Sequence, residues 1–122
     1  MHTNRPSDGE LDRKIKAAKA ALKIQPGLFA NFNKVVGELD ALNIESPTQI
    51  WELIGELLEE ILPQDYAGTR PPQHSYEKAI AGKELFAFCW ASKKLGQKMY
   101  IEFALKDDKY YYLSLHKSKV PL

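Results

Sequence analysis

ELFAFCWAS at 84–92, KMYIEFAL at 98–105 and YYYLSLH at 110–116 are three runs in which apolar and polar side chains alternate. A period of two puts every second side chain on the same face, so each run reads as a strand with one buried side. The segments between them are short enough only for antiparallel hairpins. Gly96 supplies the positive φ that the first turn needs, and Asp107-Asp108-Lys109 reads as a three-residue second turn. Facing the apolar sets sets the register. Phe103 is expected opposite Leu113 and Ile101 opposite Leu115. In the first hairpin Trp90 is expected opposite Ile101 and Phe88 opposite Phe103. Tyr100 then lies across from His116 and Glu102 across from Ser114, on the outward face. Lys117 and Lys119 sit at its end, and the rings of Tyr110 and Tyr112 are expected outward as well.

Upstream, the period changes to that of helices. Ser7 with Glu10 three residues on is a capping box. It opens a helix to about Lys23 with Leu11, Ile15, Ala18 and Leu22 on one face, closed by Pro26-Gly27. A second helix is expected from about Leu28 to Leu42, striped by Phe29, Phe32, Val36 and Leu39. Ser46, Pro47 and Gln49 start a third with cap, first-turn proline and box partner in place. It runs to about Leu62 and carries Trp51, Ile54, Leu58 and Ile61 on its stripe. Glu52, Glu56, Glu59 and Glu60 read as its solvated side. The segment 63–75, PQDYAGTRPPQHS, is the one long loop, and a short helical turn is expected between Ser75 and Gly82.

The expectation is thus a single α+β domain over 1–122. Residues 1–6 form a loose tail, 7–62 the helical part, 63–82 the loop and short helix, and 84–117 the sheet. The three helices pack on one face of the three-stranded meander. A chain that is 44% hydrophobic and 11% aromatic can bury a core of that size.

Charge narrows the function. The net charge of +1 is too small for a strongly basic nucleic-acid binder. Its distribution is uneven: residues 1–62 carry 7 basic and 10 acidic side chains, residues 63–122 carry 10 and 6. The excess positive charge on the strand half favours an anionic partner for the sheet. Cys89 is the single cysteine, so neither an internal disulfide nor a cysteine-based zinc site is expected. The three histidines are scattered and form no metal-binding spacing, so no metal and no cofactor are expected. With no apolar leader core at the start and no apolar run near 20 residues, a cytoplasmic setting away from membranes is expected.

The ionisable groups of the outward face are the candidates for chemistry. His116 suits proton transfer near neutral pH. Glu102 can orient it or act as a base. Tyr100 can hold a phosphate or donate a proton, and Lys117 or Lys119 can hold an anion. In the long loop, Arg70 and His74 form a second cationic group that can meet His116 across a cleft. Tyr112 offers a ring for stacking on a base. Cleavage of RNA by its own 2′-hydroxyl needs only such parts: a base, an acid and a cation near the phosphorus. A protein- or RNA-binding module without catalysis fits the same face.

The stretch GQKMYIEFALKDDKYYYLSLHKSK, 96–119, resembles the closing hairpin of the RelE-like toxin superfamily, and more closely its motility-quorum-sensing-regulator-type branch. The matching positions are Gly96, Gln97, Tyr100, Ser114, Leu115 and His116, while Glu102 stands where the family pattern has a lysine. The resemblance implies a small helix-then-meander domain that cuts mRNA, on the ribosome or off it, without a metal, and that is held by an antitoxin protein. It implies catalytic or phosphate-holding roles for Tyr100 and His116, and no role on DNA.

Overall fold

A computed structural model describes residues 6–118 of the chain. Most of the expected tail and Lys119 lie outside the described residues. Pro6 is already buried, ahead of the first cap. Helix α1 spans Asp8–Ile24, and Ser7 accepts from the Glu10 N–H at 3.1 Å, as the capping box requires. Helix α3 spans Pro47–Leu58, and the Gln49 carbonyl turns back to accept from Ser46 N–H at 3.0 Å and Glu45 N–H at 2.6 Å. It stops at Leu58 rather than near Leu62; a turn follows, and Ile61 is still buried.

The second helix starts later than its apolar stripe suggests. Leu28–Phe29 is a short strand, β1, and α2 spans Phe32–Ala41. The stripe shifts with it. Val35 and Leu39 are buried, while Phe32 and Val36 are left 49% and 46% exposed.

Strands β2 (Phe86–Ser92), β3 (Gln97–Lys106) and β4 (Lys109–Lys117) form the antiparallel meander. Strand β1 adds to its edge in parallel, opposite Tyr111 and Tyr112, giving the order β1-β4-β3-β2. The architecture is α+β, three helices followed by the meander. One main core joins the helices to the inner sheet face, from Leu11 and Ile15 through Ile50, Ile54 and Leu57 to Phe88, Ile101, Phe103 and Leu115. Among the described residues no helix is long and apolar enough to cross a membrane.

Register departs from the expectation at two points. In the first hairpin Phe88 faces Ile101 and Trp90 faces Met99, two residues from the expected pairing. Both pairings bury the same apolar face, and the four-residue turn 93–96 selects between them. In the second, Ile101 faces Leu115, Tyr100 faces His116 and Glu102 faces Ser114 as expected, but Phe103 faces Tyr112 instead of Leu113. The turn is shorter, Asp107-Asp108 with φ of 52° and 59°, and Lys106 pairs with Lys109. The extra residue this creates is absorbed as a β-bulge at Leu113. As a result Tyr110 and Tyr112 are buried on the helical face and not exposed, which removes Tyr112 from the outward surface. Leu113 and Tyr111 instead pack on the outer face with Ile80, Leu85 and Ala104.

Glu60 is not part of a solvated stripe. Its carboxylate accepts four hydrogen bonds: from Trp90 Nε1 at 3.0 Å, Ser92 Oγ at 2.7 Å, and the Lys93 and Lys94 N–H groups at 2.9 Å each. It ties the β2–β3 turn to the end of α3. Burial pushes this carboxyl up, but the bonds from Trp90, Ser92, Lys94 and Lys93 outweigh it and hold the group below its ordinary 4.5. A carboxyl lowered on folding stabilises the fold above its unfolded value and loses that contribution as pH falls through the folded one. Glu60→Ala is therefore expected to cost about 1–2 kcal/mol at pH 7, at the low end because the lysine N–H groups are near water. In urea titrations the difference from wild type should shrink as the pH falls below the ordinary 4.5 and through the lowered folded value.

Candidate active site

The outer face of the sheet divides into two halves. At one end the 3-10 turn Lys78–Ile80 lies over Leu85, Ala104 and Leu113. Its segment is tied to α2 through Glu77, which pairs with Lys34 at 2.7 Å and accepts from Asn31 at 3.2 Å. The other end carries the polar cluster. Tyr100 and Glu102 are two apart on β3, and across from them on β4 are His116 and Ser114. The Tyr100 and His116 rings stack with centroids 5.1 Å apart at 21°.

His116 Nδ1 lies 2.8 Å from the Lys117 carbonyl oxygen. A carbonyl only accepts, so Nδ1 carries a proton and Nε2 is the nitrogen left for acid–base work. Glu102 is half-buried, and desolvation, then the charge of Glu38, raises its carboxyl above 4.5, partly offset by His116. Tyr100 is pushed up to about 12, first by burial, then by the charges of Glu102, Cys89, Glu38 and Tyr66. It is therefore a neutral hydroxyl donor at any ordinary pH.

Glu38 enters from α2. Its carboxylate accepts from Ser114 Oγ and Tyr112 Oη at 2.7 Å each, and from the Leu115 N–H at 2.8 Å. Beside it is a cavity of about 300 Å³ lined by Asn31, Lys34, Glu38, Glu77, Glu102 and Ser114. Tyr112 is held neutral by burial and by its bond to Glu38.

The structure brings Tyr100, Glu102, His116 and Ser114 together and leaves the other candidates elsewhere. Lys117 faces Met99, whose side chain is buried among the helices, so alternation sends Lys117 away from the His116 face. Lys98, two residues before Tyr100 on β3, lies on that face instead. Its even spacing with Tyr100 and Glu102 was the available signal. Arg70 and His74 are exposed on the loop along the outer edge of β2, where His74 bridges Glu84. Glu84 is five residues from Cys89, which pairs with Tyr100, or about 16 Å of strand. No pairing of His74 with His116 forms. Glu38, the most connected group of the site, lies on a helix whose sequence marked it only as polar. Among the described residues no three His, Cys, Asp or Glu side chains form a group able to hold a metal.

The fold and cluster define an α+β domain with acid–base groups on an open sheet half. No family model, curated protein or solved structure matches the chain.

Proposed function

We propose that the chain is a metal-independent endoribonuclease that cleaves mRNA on the open half of the sheet and is restrained in the cell by an antitoxin protein. The observation that carries this reading is the Tyr100–His116 stack with Nε2 free and Glu102 beside it on the same face. The hairpin's resemblance to the RelE-like superfamily points the same way.

The chemistry follows from the two titratable groups. Glu102, ionised, takes the proton of a ribose 2′-hydroxyl. The 2′-oxygen forms a bond to phosphorus, and the bond from phosphorus to the 5′-oxygen breaks. Protonated His116 donates from Nε2 to that leaving oxygen. The products are a 2′,3′-cyclic phosphate and a 5′-hydroxyl end. Tyr100 donates a hydrogen bond to a phosphate oxygen, and Lys98 adds positive charge where negative charge accumulates. Both proton carriers are side chains, so no step needs a metal.

Purified protein incubated with mRNA in the presence of a chelator should produce those ends. Activity should rise with pH as Glu102 ionises, later than for an ordinary carboxyl, because desolvation and then Glu38 hold its proton. Glu102→Gln is expected to remove the rising limb along with most of the rate. Intact RNA after exposure to the wild-type protein, together with unchanged growth on induced expression, would overturn the reading. One observation favours a non-enzymatic binding module instead. Phe32 and Val36 are exposed beside an apolar groove of about 170 Å³ between α2 and α3.

A further inference from the structure

The bulge at Leu113 has a specific anchor. Strand β1 pairs with β4 at Tyr111 and Tyr112, and among the described residues no strand flanks the outer edge of β4 beyond Leu113. The Glu38 carboxylate stands in for one. Oε1 accepts from the Leu115 N–H and from Tyr112 Oη, and Oε2 accepts from Ser114 Oγ. These three donors lie on both sides of the bulged residue and on both faces of the sheet. Slipping β4 by one residue would move His116 to the helical face and Lys117 to the open one. Such a slip would break all three bonds at once.

We propose that Glu38 is a positioning residue of the open-face site: it clamps the Leu113 bulge so that Ser114 and His116 stay in register with Glu102 and Tyr100, and it presents its carboxylate to Glu102 across the cavity both line. The catalytic part of this role rests on the endoribonuclease reading; the clamp itself does not. Among the described residues, the following charged or titratable groups share the cavity or the sheet face of Glu102. Glu38 and Lys34 come from α2, Glu77 from the segment before the 3-10 turn, Tyr100 and Lys98 from its own strand, His116 from β4 and Cys89 from β2. Of the carboxylates among them, Glu38 is the one whose charge acts on Glu102, after desolvation and against His116. Lys34 does not cancel it, being paired with Glu77.

Two substitutions separate clamp from charge. Glu38→Gln keeps a side-chain carbonyl for the Leu115 N–H and Tyr112 Oη and removes the charge. Glu38→Ala removes both. Amide exchange and side-chain titration are followed by NMR on the full chain without RNA. In Glu38→Ala the Leu115 amide should exchange about 10- to 100-fold faster, since a hydrogen bond to a charged group is lost. The His116 ring resonances should move as the stack on Tyr100 loosens. In Glu38→Gln the exchange should stay close to wild type, while the Glu102 titration moves to lower pH. The rising limb of RNA cleavage should move down with it. A Glu102 titration unchanged in Glu38→Gln overturns the charge role. Unchanged Leu115 exchange in Glu38→Ala overturns the clamp. If Glu38→Ala fails to fold, Glu38→Gln still decides the charge role, and Glu38→Asp, whose shorter carboxylate cannot reach all three donors, takes its place for the clamp. Because exchange and titration are read without RNA, failure of the clamp and failure of the endoribonuclease reading are separate results.

Discussion

His116→Ala is expected to cleave RNA about 100- to 10,000-fold more slowly than the wild-type chain, the usual cost of removing a proton carrier. The fold should survive, because His116 sits near the end of β4, where its main packing partner is the Tyr100 ring. Losing one ring stack costs about 0.5–1.5 kcal/mol, a modest part of the roughly 5–15 kcal/mol that holds a domain together. Induced from a tight promoter, the wild type is expected to arrest growth and the variant to leave it unchanged. Tyr100→Phe separates two roles of the neighbouring ring. It keeps the stack and removes the hydroxyl, so it should leave the His116 resonances near their wild-type positions while slowing cleavage. If wild type and His116→Ala cut equally well, the chemistry lies elsewhere, and Arg70 with His74 on the far edge of the sheet is the next pair to replace.

The site was legible where the strand alternates and illegible where it does not. Tyr100, Glu102, Ser114 and His116 lie between the bulge and the strand end, where apolar and polar residues alternate strictly, and their pairing follows from sequence. Within YYYLSLH the apolar–polar contrast is weakest in YYYL. Tyr110 and Tyr112 could face in or out with equal apolar gain, so the pattern is silent about the bulge. The deciding interactions come from a helix over seventy residues away, through Glu38. The misassignment of Lys117 has a simpler cause. Lys117 follows His116 directly in the chain, but alternation separates the two by a whole sheet face.

The helices divide in the same way. Those with complete caps, α1 and α3, begin where Ser7 and Ser46 say they should. The second lacks one. Asn31 makes no capping bond and instead donates to Glu77. Phe29 matches the helical stripe, but it is drawn into the sheet beside Tyr112, with their ring centroids 5.1 Å apart. Tertiary packing of one aromatic therefore outweighs the local period, which is how Phe32 and Val36 come to be exposed.

Trp51→Ala is expected to destabilise the chain by about 3–5 kcal/mol, the usual cost of truncating a large buried aromatic. Trp51 is 9% exposed and lies where α3 meets β1 and β4. It projects from α3 toward Phe29 of β1 at 5.0 Å and toward Tyr110 and Tyr112 of β4 at 6.3 and 6.4 Å, ring centre to ring centre. The chain leaving α1 presses on the same ring: a Cβ added at Gly27 would stand 2.7 Å from one of its carbons. No backbone conformation explains that glycine; the closeness of the indole does. Gly27→Ala should thus cost about 1–3 kcal/mol by overpacking. In a chain already carrying Trp51→Ala the added methyl should cost little, because the ring it would strike is gone. Urea titration of the two single variants and the double variant measures this directly. The double variant is expected to cost about as much as Trp51→Ala alone, about 1–3 kcal/mol less than the sum of the two single variants. Additive costs would mean that Gly27 is needed for its own backbone. A Trp51→Ala midpoint equal to wild type would remove the indole from the core and make its surroundings a surface for a partner.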